Sequence, residues 1–258
     1  MIMKPFTTFR RVLLTVAGAI MTLSFLSSCL KQHNDSVDTP VAGLMVFNVS
    51  PEQPAVGFAI SGNSLTNAPI GYGTYNGMYQ NIYPGDRQLA AYDYHSGAVL
   101  YADTTAGFIA DKYYSAFFAG ADSNYRVILV QDNFDSLSAT SGSAYIRYVN
   151  AVADSIAIPE VTISAGGNNV IQQAAAFGSV SPFTAVAPGS ISIAVKNANG
   201  LDVSRTIPVE AKQVYTVLLT GIQGSTSTPV EIKYIGNGTL TDEPATSTIA
   251  VPSGHSVQ

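Results

Sequence analysis

At 258 residues and a net charge of -5, with no basic run after Lys31, the chain offers no surface that could track a phosphate backbone, so no nucleic acid partner is expected. Only 11% of residues are charged while Gly, Ser, Thr, Val and Tyr abound, which argues against helical bundles and for strands and turns. One cysteine excludes a disulfide framework, and the three histidines, His33, His95 and His255, share no metal-ligand spacing, so neither a zinc site nor any cofactor is expected.

The chain opens with Lys4, Arg10 and Arg11, then an apolar stretch over residues 12–26, then Ser27 and Ser28 ahead of Cys29. This is the layout of a bacterial lipoprotein signal: a positive n-region, an h-region, and small residues that let a peptidase reach the bond before the cysteine. The apolar stretch is too short for a membrane span, which takes about 20 residues. A cleaved signal peptide over 1–28 is therefore expected, with lipidation of Cys29 by palmitate-like acyl chains as the membrane contact. Each buried methylene contributes about 0.8 kcal/mol, so two or three chains hold a soluble domain without a spanning helix. Leu30 stands where an aspartate would retain such a protein in the inner membrane, so by resemblance to lipoprotein sorting signals the expected location is the outer membrane, on either face. Once Lys4, Arg10 and Arg11 have left, 9 of the 12 basic residues remain against 17 acidic ones. Residues 29–40 read as a polar tether.

Beyond the tether the sequence repeats itself. Val46 matches Tyr148 at the opening of a strand, Tyr72 matches Phe177 beside a glycine, Pro84-Gly85 matches Pro188-Gly189, and Tyr114 matches Tyr215 in a closing strand that ends in Gly120 or Gly221. The separations, 102, 105, 104 and 101 residues, are nearly constant, which indicates a tandem duplication of a unit of roughly 95 residues, long enough for its own core. The first unit spans 41–134 and the second 144–236. Between them 135–143 is a polar linker, and 237–258 is a loosely ordered tail.

Each unit reads as an all-β fold. Residues 161–165, 191–195 and 230–234 alternate apolar and polar with period two, with Glu231 and Lys233 on one wet face. Residues 214–219, apart from Thr216, and the Phe117-Phe118 stretch are apolar on both faces, the mark of a more deeply buried central strand. Pro84-Gly85 and Pro188-Gly189 suit type II turns. Tyr114 and Tyr215 are placed to anchor the closing strand in the manner of a tyrosine corner. The fold class is therefore two tandem antiparallel β-sandwich domains, immunoglobulin-like or transthyretin-like, following the signal peptide.

The opening strand motif (Tyr148-Val149-Asn150-Ala151, with Val46-Phe47-Asn48-Val49 in the first unit), the Phe177-Gly178-Ser179 stretch, the Pro-Gly turn and the closing Tyr-Thr strand resemble domain of unknown function DUF4397. The resemblance covers residues 41 to 236 and is better in the second copy. It implies exported or lipid-anchored proteins with the domain often in tandem, and it assigns no catalytic residue.

No nucleophile elbow, phosphate loop or metalloprotease histidine pair occurs, so no enzyme activity is expected. Gly71-Tyr72-Gly73 with Gly77 has the wrong spacing for a dinucleotide fingerprint and reads as a turn. Asp122-Ser123-Asn124 and Asp132-Asn133-Phe134-Asp135 could lend oxygens to calcium, but they lack the spaced glutamate of a dedicated loop and read as solvated strand-end loops. Ten of the 14 tyrosines fall in the first unit, and Tyr72, Tyr75, Tyr79 and Tyr83 cluster in a Gly-rich segment. A tyrosine joins a flat apolar face to a polar tip, which suits sugar rings and protein interfaces alike. These four are the ligand-binding candidates, against the plainer reading in which strands simply use tyrosine. The expected function is a lipid-anchored cell-envelope binding or adhesion module, with a glycan or an envelope protein as ligand. A polysaccharide-binding or hydrolytic enzyme and a structural spacer are the alternatives, and oligomeric state stays open.

Overall fold

The computed structural model describes residues 39–153, 157–241 and the backbone of 249–250. The signal peptide, Cys29, His33, most of the tether, and the tail beyond Thr241 apart from that short strand, including His255, lie outside the described residues. Strands β1 (Ala42–Asn48), β2 (Val56–Ile60), β3 (Asn63–Ser64), β4 (Thr74–Tyr75), β5 (Gln80–Ile82), β6 (Gly85–Asp93), β7 (Val99–Phe108), β8 (Tyr113–Ala121) and β9 (Asn124–Asp132) build the first sandwich. The second consists of β10 (Ala144–Ala153), β11 (Glu160–Ala165), β12 (Asn168–Ala174), β13 (Thr184–Val186), β14 (Gly189–Lys196), β15 (Asp202–Val209), β16 (Gln213–Ile222), β17 (Glu231–Leu240) and β18 (Ile249–Ala250). No α-helix occurs among the described residues.

Each sandwich has an inner sheet, β4-β1-β8-β9 with β5 also on β1, or β13-β10-β16-β17-β18, and an outer sheet, β3-β2-β6-β7 or β12-β11-β14-β15. The strand patterns suggest antiparallel sheets, and all pairings among the described residues are so except one in each inner sheet. The opening strand pairs in parallel with the closing one, β1 with β8 and β10 with β16, because the outer sheet intervenes between them as a long crossover. Pro84-Gly85 and Pro188-Gly189 mark the start of β6 and β14, where the chain enters the outer sheet, with φ at 100° and 130° at the two glycines.

The repeated landmarks are hydrogen-bonding devices. Asn48 is buried and its amide donates to the carbonyls of Gln53 and Ile70 at 2.6 and 3.0 Å. Asn150 likewise donates to Ala175 at 2.7 Å, and the N–H groups of Gly73 and Gly178 return to the carbonyls of Asn48 and Asn150 at 2.8 and 2.7 Å. Each asparagine thus clamps the crossover against the opening strand. The closing glycines are equally constrained. Gly120 and Gly221 sit at φ 119° and 108°, and a Cβ would lie 2.2 Å from the carbonyl oxygen of Asn124 or of Pro229. Tyr114 and Tyr215 accept the N–H of Ile109 and Glu210 at 2.9 and 3.1 Å, so both pin the closing strand to the backbone before it.

Each sandwich encloses its own core, one around Leu44, Val46, Phe58, Leu89 and Phe118, the other around Ile146, Val161, Ile193, Val217 and Leu219. A third cluster joins them. The opposite faces of β1, β8 and their counterparts bring Met45, Phe47, Val49, Phe117 and Ala119 against Val149, Ala151, Leu218 and Ile235. This seam explains the runs apolar on both faces, since each fully buried large side chain contributes about 1.5–3 kcal/mol on whichever face it lies. From Pro40 onward the chain forms one compact unit.

The stretch read as a linker is part of that packing. Phe134 and Leu137 are buried with Tyr145, Val214 and Leu240, and 3-10 turns occupy Phe134–Ser136 and Ala139–Ser141. Strand β17 runs through buried Asn237 to Leu240, beyond the point at which the sequence reads as a loose tail. Within 135–143 buried Leu137, with Ala139 packed beside it and Phe134 just ahead, suffices to dock the stretch.

At the centre of the seam lies an ion pair between Arg147 and Asp132, whose side chains are 2% and 0% exposed. Substituting Arg147 by Ala would strand the Asp132 charge and should lower stability by about 3–5 kcal/mol. Met45 occupies the matching position in the first copy, so Arg147→Met combined with Asp132→Val should recover part of that loss. Urea unfolding of both variants checks this, and a loss below about 1 kcal/mol for Arg147→Ala would show that the seam does not depend on the pair.

Candidate functional site

Pairing of β4 and β5 with β1 carries the tyrosine-rich segment to the edge of the seam rather than to an open loop. Tyr72 lies half-buried with its hydroxyl 3.3 Å from Thr220 Oγ1 and its ring 5.9 Å from the Lys233 ammonium. Tyr75 stacks on Phe47 at 5.3 Å. Tyr79 packs edge-on against Tyr113 and Phe134, and its enclosed hydroxyl donates to Asp132 Oδ2 at 2.6 Å. Of the four candidates Tyr83 alone stands out in solvent, at 65% exposure.

The polar network behind Tyr79 draws on both copies. Ser115 Oγ donates to Asp132 Oδ2 at 2.7 Å and accepts from Arg147 Nη2 at 3.2 Å. Arg147 Nε donates to Thr216 Oγ1 at 2.9 Å, and Thr216 donates to Asn237 Oδ1 at 2.6 Å. The guanidinium also lies 4.4 Å from the centre of the Phe183 ring. Asp132 is therefore not a solvated loop oxygen. Asn133 accepts from Gln131, Phe134 is in the seam, and Asp135 pairs with Lys112, so this segment's oxygens are already engaged. Asp122-Ser123-Asn124 forms the β8–β9 turn, with φ positive at Asp122 and Ser123 and the Asp122 N–H bonded to Glu52. No group of three metal-ligating side chains occurs among the described residues.

The two outer sheets differ in a way that the ladder registers make explicit. Across the second copy runs a charged row, Glu160, Lys196 and Asp202, with Lys196 and Asp202 3.2 Å apart. In the matching row the first copy has Gly57, Tyr92 and Val99. The next row is Thr162, Ala194 and Ser204 in the second copy, but Ala59, Ala90 and Ala102 in the first. Tyr92 lies over Gly57, where a Cβ would come within 2.3 Å of its ring. Tyr94 continues the platform, its ring 6.5 Å from that of Tyr92 and inclined by only 16°. Ser64 and Asn67 border it, the former 3.3 Å from the Tyr92 hydroxyl, the latter accepting from the Tyr94 hydroxyl at 3.1 Å. His95 meets Tyr94 edge-on. Val99 is 67% exposed beside this pair. Aligning the copies on Pro84 and Pro188 sets Tyr92 against Lys196, a contrast visible in sequence that a simple tyrosine count passes over.

Burial, and then the Asp132 carboxylate, hold the Tyr79 hydroxyl well above the ordinary tyrosine value of 10.0. Since the folded state favours the neutral hydroxyl, its contribution is complete below pH 10 and falls away as pH rises beyond it. Tyr79→Phe should lose about 1–3 kcal/mol near neutrality and should show a shallower loss of stability between pH 10 and 11. Urea midpoints across that range decide, and an unchanged alkaline slope would refute the assignment.

The family model described as Domain of unknown function (DUF4397) matches residues 42–158 and again 144–248, the two matches overlapping on β10. No curated protein matches the chain. Among solved structures, it is similar to the carbohydrate-binding module CBMbc (family CBM26) of Eubacterium rectale Amy13K, crystallised in complex with maltoheptaose. That match has 15% identity and a TM-score of 0.24, covering 73% of this chain and 96% of the other. The chain thus belongs to the DUF4397 family and carries its domain twice in tandem.

Proposed function

We propose that the protein is a lipid-anchored, non-catalytic binding module of the cell envelope, which holds a glycan chain on the outer sheet of its first sandwich. The observation that carries this reading is the replacement of a charged row in one copy by Gly57, Tyr92 and Val99 in the other, with Tyr94 beside it. Two nearly parallel tyrosine rings offer successive apolar faces against which the C–H faces of sugar rings pack, while the phenol tips and neighbouring Ser64 meet hydroxyl groups. A charged row would hold water there instead. The lipobox ending at Cys29 supports the anchoring, with the first sandwich reached through the tether.

Binding of the full chain in detergent to a glycan array, repeated with Tyr92→Ala and Tyr94→Ala, tests the face. Ring stacking of about 0.5–1.5 kcal/mol predicts up to about a tenfold loss for each substitution. Array binding unchanged in the double variant, or saturable binding to an envelope protein in place of any glycan, would overturn the glycan assignment.

Anchoring is tested separately. Cys29→Ser should abolish incorporation of radiolabelled palmitate and move the protein from the membrane to the soluble fraction, whereas retained label would refute lipidation at that residue.

A further inference from the structure

A cleft of about 270 Å3 opens between the sandwiches, lined by Asn124 and Arg126 from the first and by Val152, Ile158, Pro159 and Phe177 from the second. Arg126 projects from β9 opposite Ala119, so no cross-strand carboxylate neutralises it, and it has no ion-pair partner among the described residues. Its guanidinium lies over the Phe177 ring at 4.2 Å. The backbone leaves room for this arrangement, since a Cβ at Gly178 would sit 3.2 Å from Arg126 Nη1. A guanidinium stacked on an aromatic face keeps its in-plane N–H donors for a planar, two-oxygen acceptor, and stacking limits the freedom it would lose on binding. The nearby Glu52 carboxylate is engaged by the Asp122 N–H at 2.7 Å.

The opposite wall is aliphatic, with Ile158 63% exposed at its rim. The volume falls just below the roughly 300–1,000 Å3 of drug-sized pockets, which limits an occupant to a few covalent units. We propose that this cleft binds a small aliphatic carboxylate with the dimensions of a dipeptide C-terminus, its carboxylate on Arg126 and its side chains against Ile158 and the adjoining Pro159. The site is separate from the tyrosine face and can be occupied independently of it.

Calorimetric titration of the full chain in detergent with N-acetyl-alanyl-alanine, and with its C-terminal amide, tests the proposal. The acid should bind saturably and the amide at least tenfold more weakly. Arg126→Gln should weaken the acid at least tenfold, Arg126→Lys less, and Tyr92→Ala not at all. Ile158→Gln, a rim change that leaves the seam intact, should weaken the acid severalfold and so guards against loss of fold in the arginine variants. Equal binding of acid and amide, absence of binding by either, or full affinity in Arg126→Gln would overturn it.

Discussion

The buried pair between Asp132 and Arg147 is the constraint on which the rest of the molecule depends. Removing two such charges from water costs several kcal/mol for each ion, and only close pairing backed by further hydrogen bonds offsets that. Here Tyr79 and Ser115 from the first copy converge on Asp132, while Thr216 and Asn237 from the second support Arg147 and one another. An apolar seam alone would tolerate small sliding, because dispersion contacts are not directional. The polar network does not, since a displacement of one strand residue would leave a charge unpaired in a dry environment. The pair therefore does more to select one arrangement of the two sandwiches than to add net stability.

The seam also accounts for the architecture on either side. Both copies contribute the same strands, so Phe47 and Val149 occupy matching positions, as do Phe117 and Leu218. Strands buried on two faces are apolar except where a polar side chain finds a buried hydrogen-bond partner, as Ser115, Arg147 and Thr216 do, and parallel partners are ordinarily covered on both sides. Thr220 adds a direct link by donating to the Val49 carbonyl at 2.8 Å. The lesser symmetry matters as much. Met45 and Arg147 share a position, and the copy with arginine is the one that meets Asp132, so the duplication diverged where its halves had to be told apart.

Much of this is legible in the sequence itself. Local periodicity revealed the strands, and landmarks recurring at nearly constant separation exposed the duplication; the bonds between Gly73 and Asn48, and between Gly178 and Asn150, make two of those landmarks parts of one device in each copy. Tyr114 and Tyr215 could be read as anchors for the same reason. The network could not. Nothing in Tyr145-Ile146-Arg147-Tyr148 singles out the arginine, and Asp132 reads as a loop acid, because one-dimensional pattern does not say that a second sandwich covers that face. For the same reason Tyr72, Tyr75 and Tyr79 stand out as ligand-binding candidates in a Gly-rich segment, although the seam uses all three. Parallel pairing of β1 with β8 was hidden as well, since alternation specifies faces and not partners.

What the seam leaves free is the outer sheet of each copy, and there the two sequences have parted. A glycine in a strand interior costs about 0.5–1 kcal/mol relative to alanine, and an exposed valine beside it does nothing for solubility. The second copy shows that the same position accepts a glutamate paired along its row with Lys196 and Asp202, so the fold imposes no need for Gly57 or for the ring that covers it. A less stable, less soluble row retained on an outer sheet that the seam leaves free fits a surface kept for contact. Because Arg147 and Asp132 fix the two sandwiches in one body, that face is held in a constant relation to the second copy, and whatever binds there meets a rigid two-domain platform rather than a bead on a string.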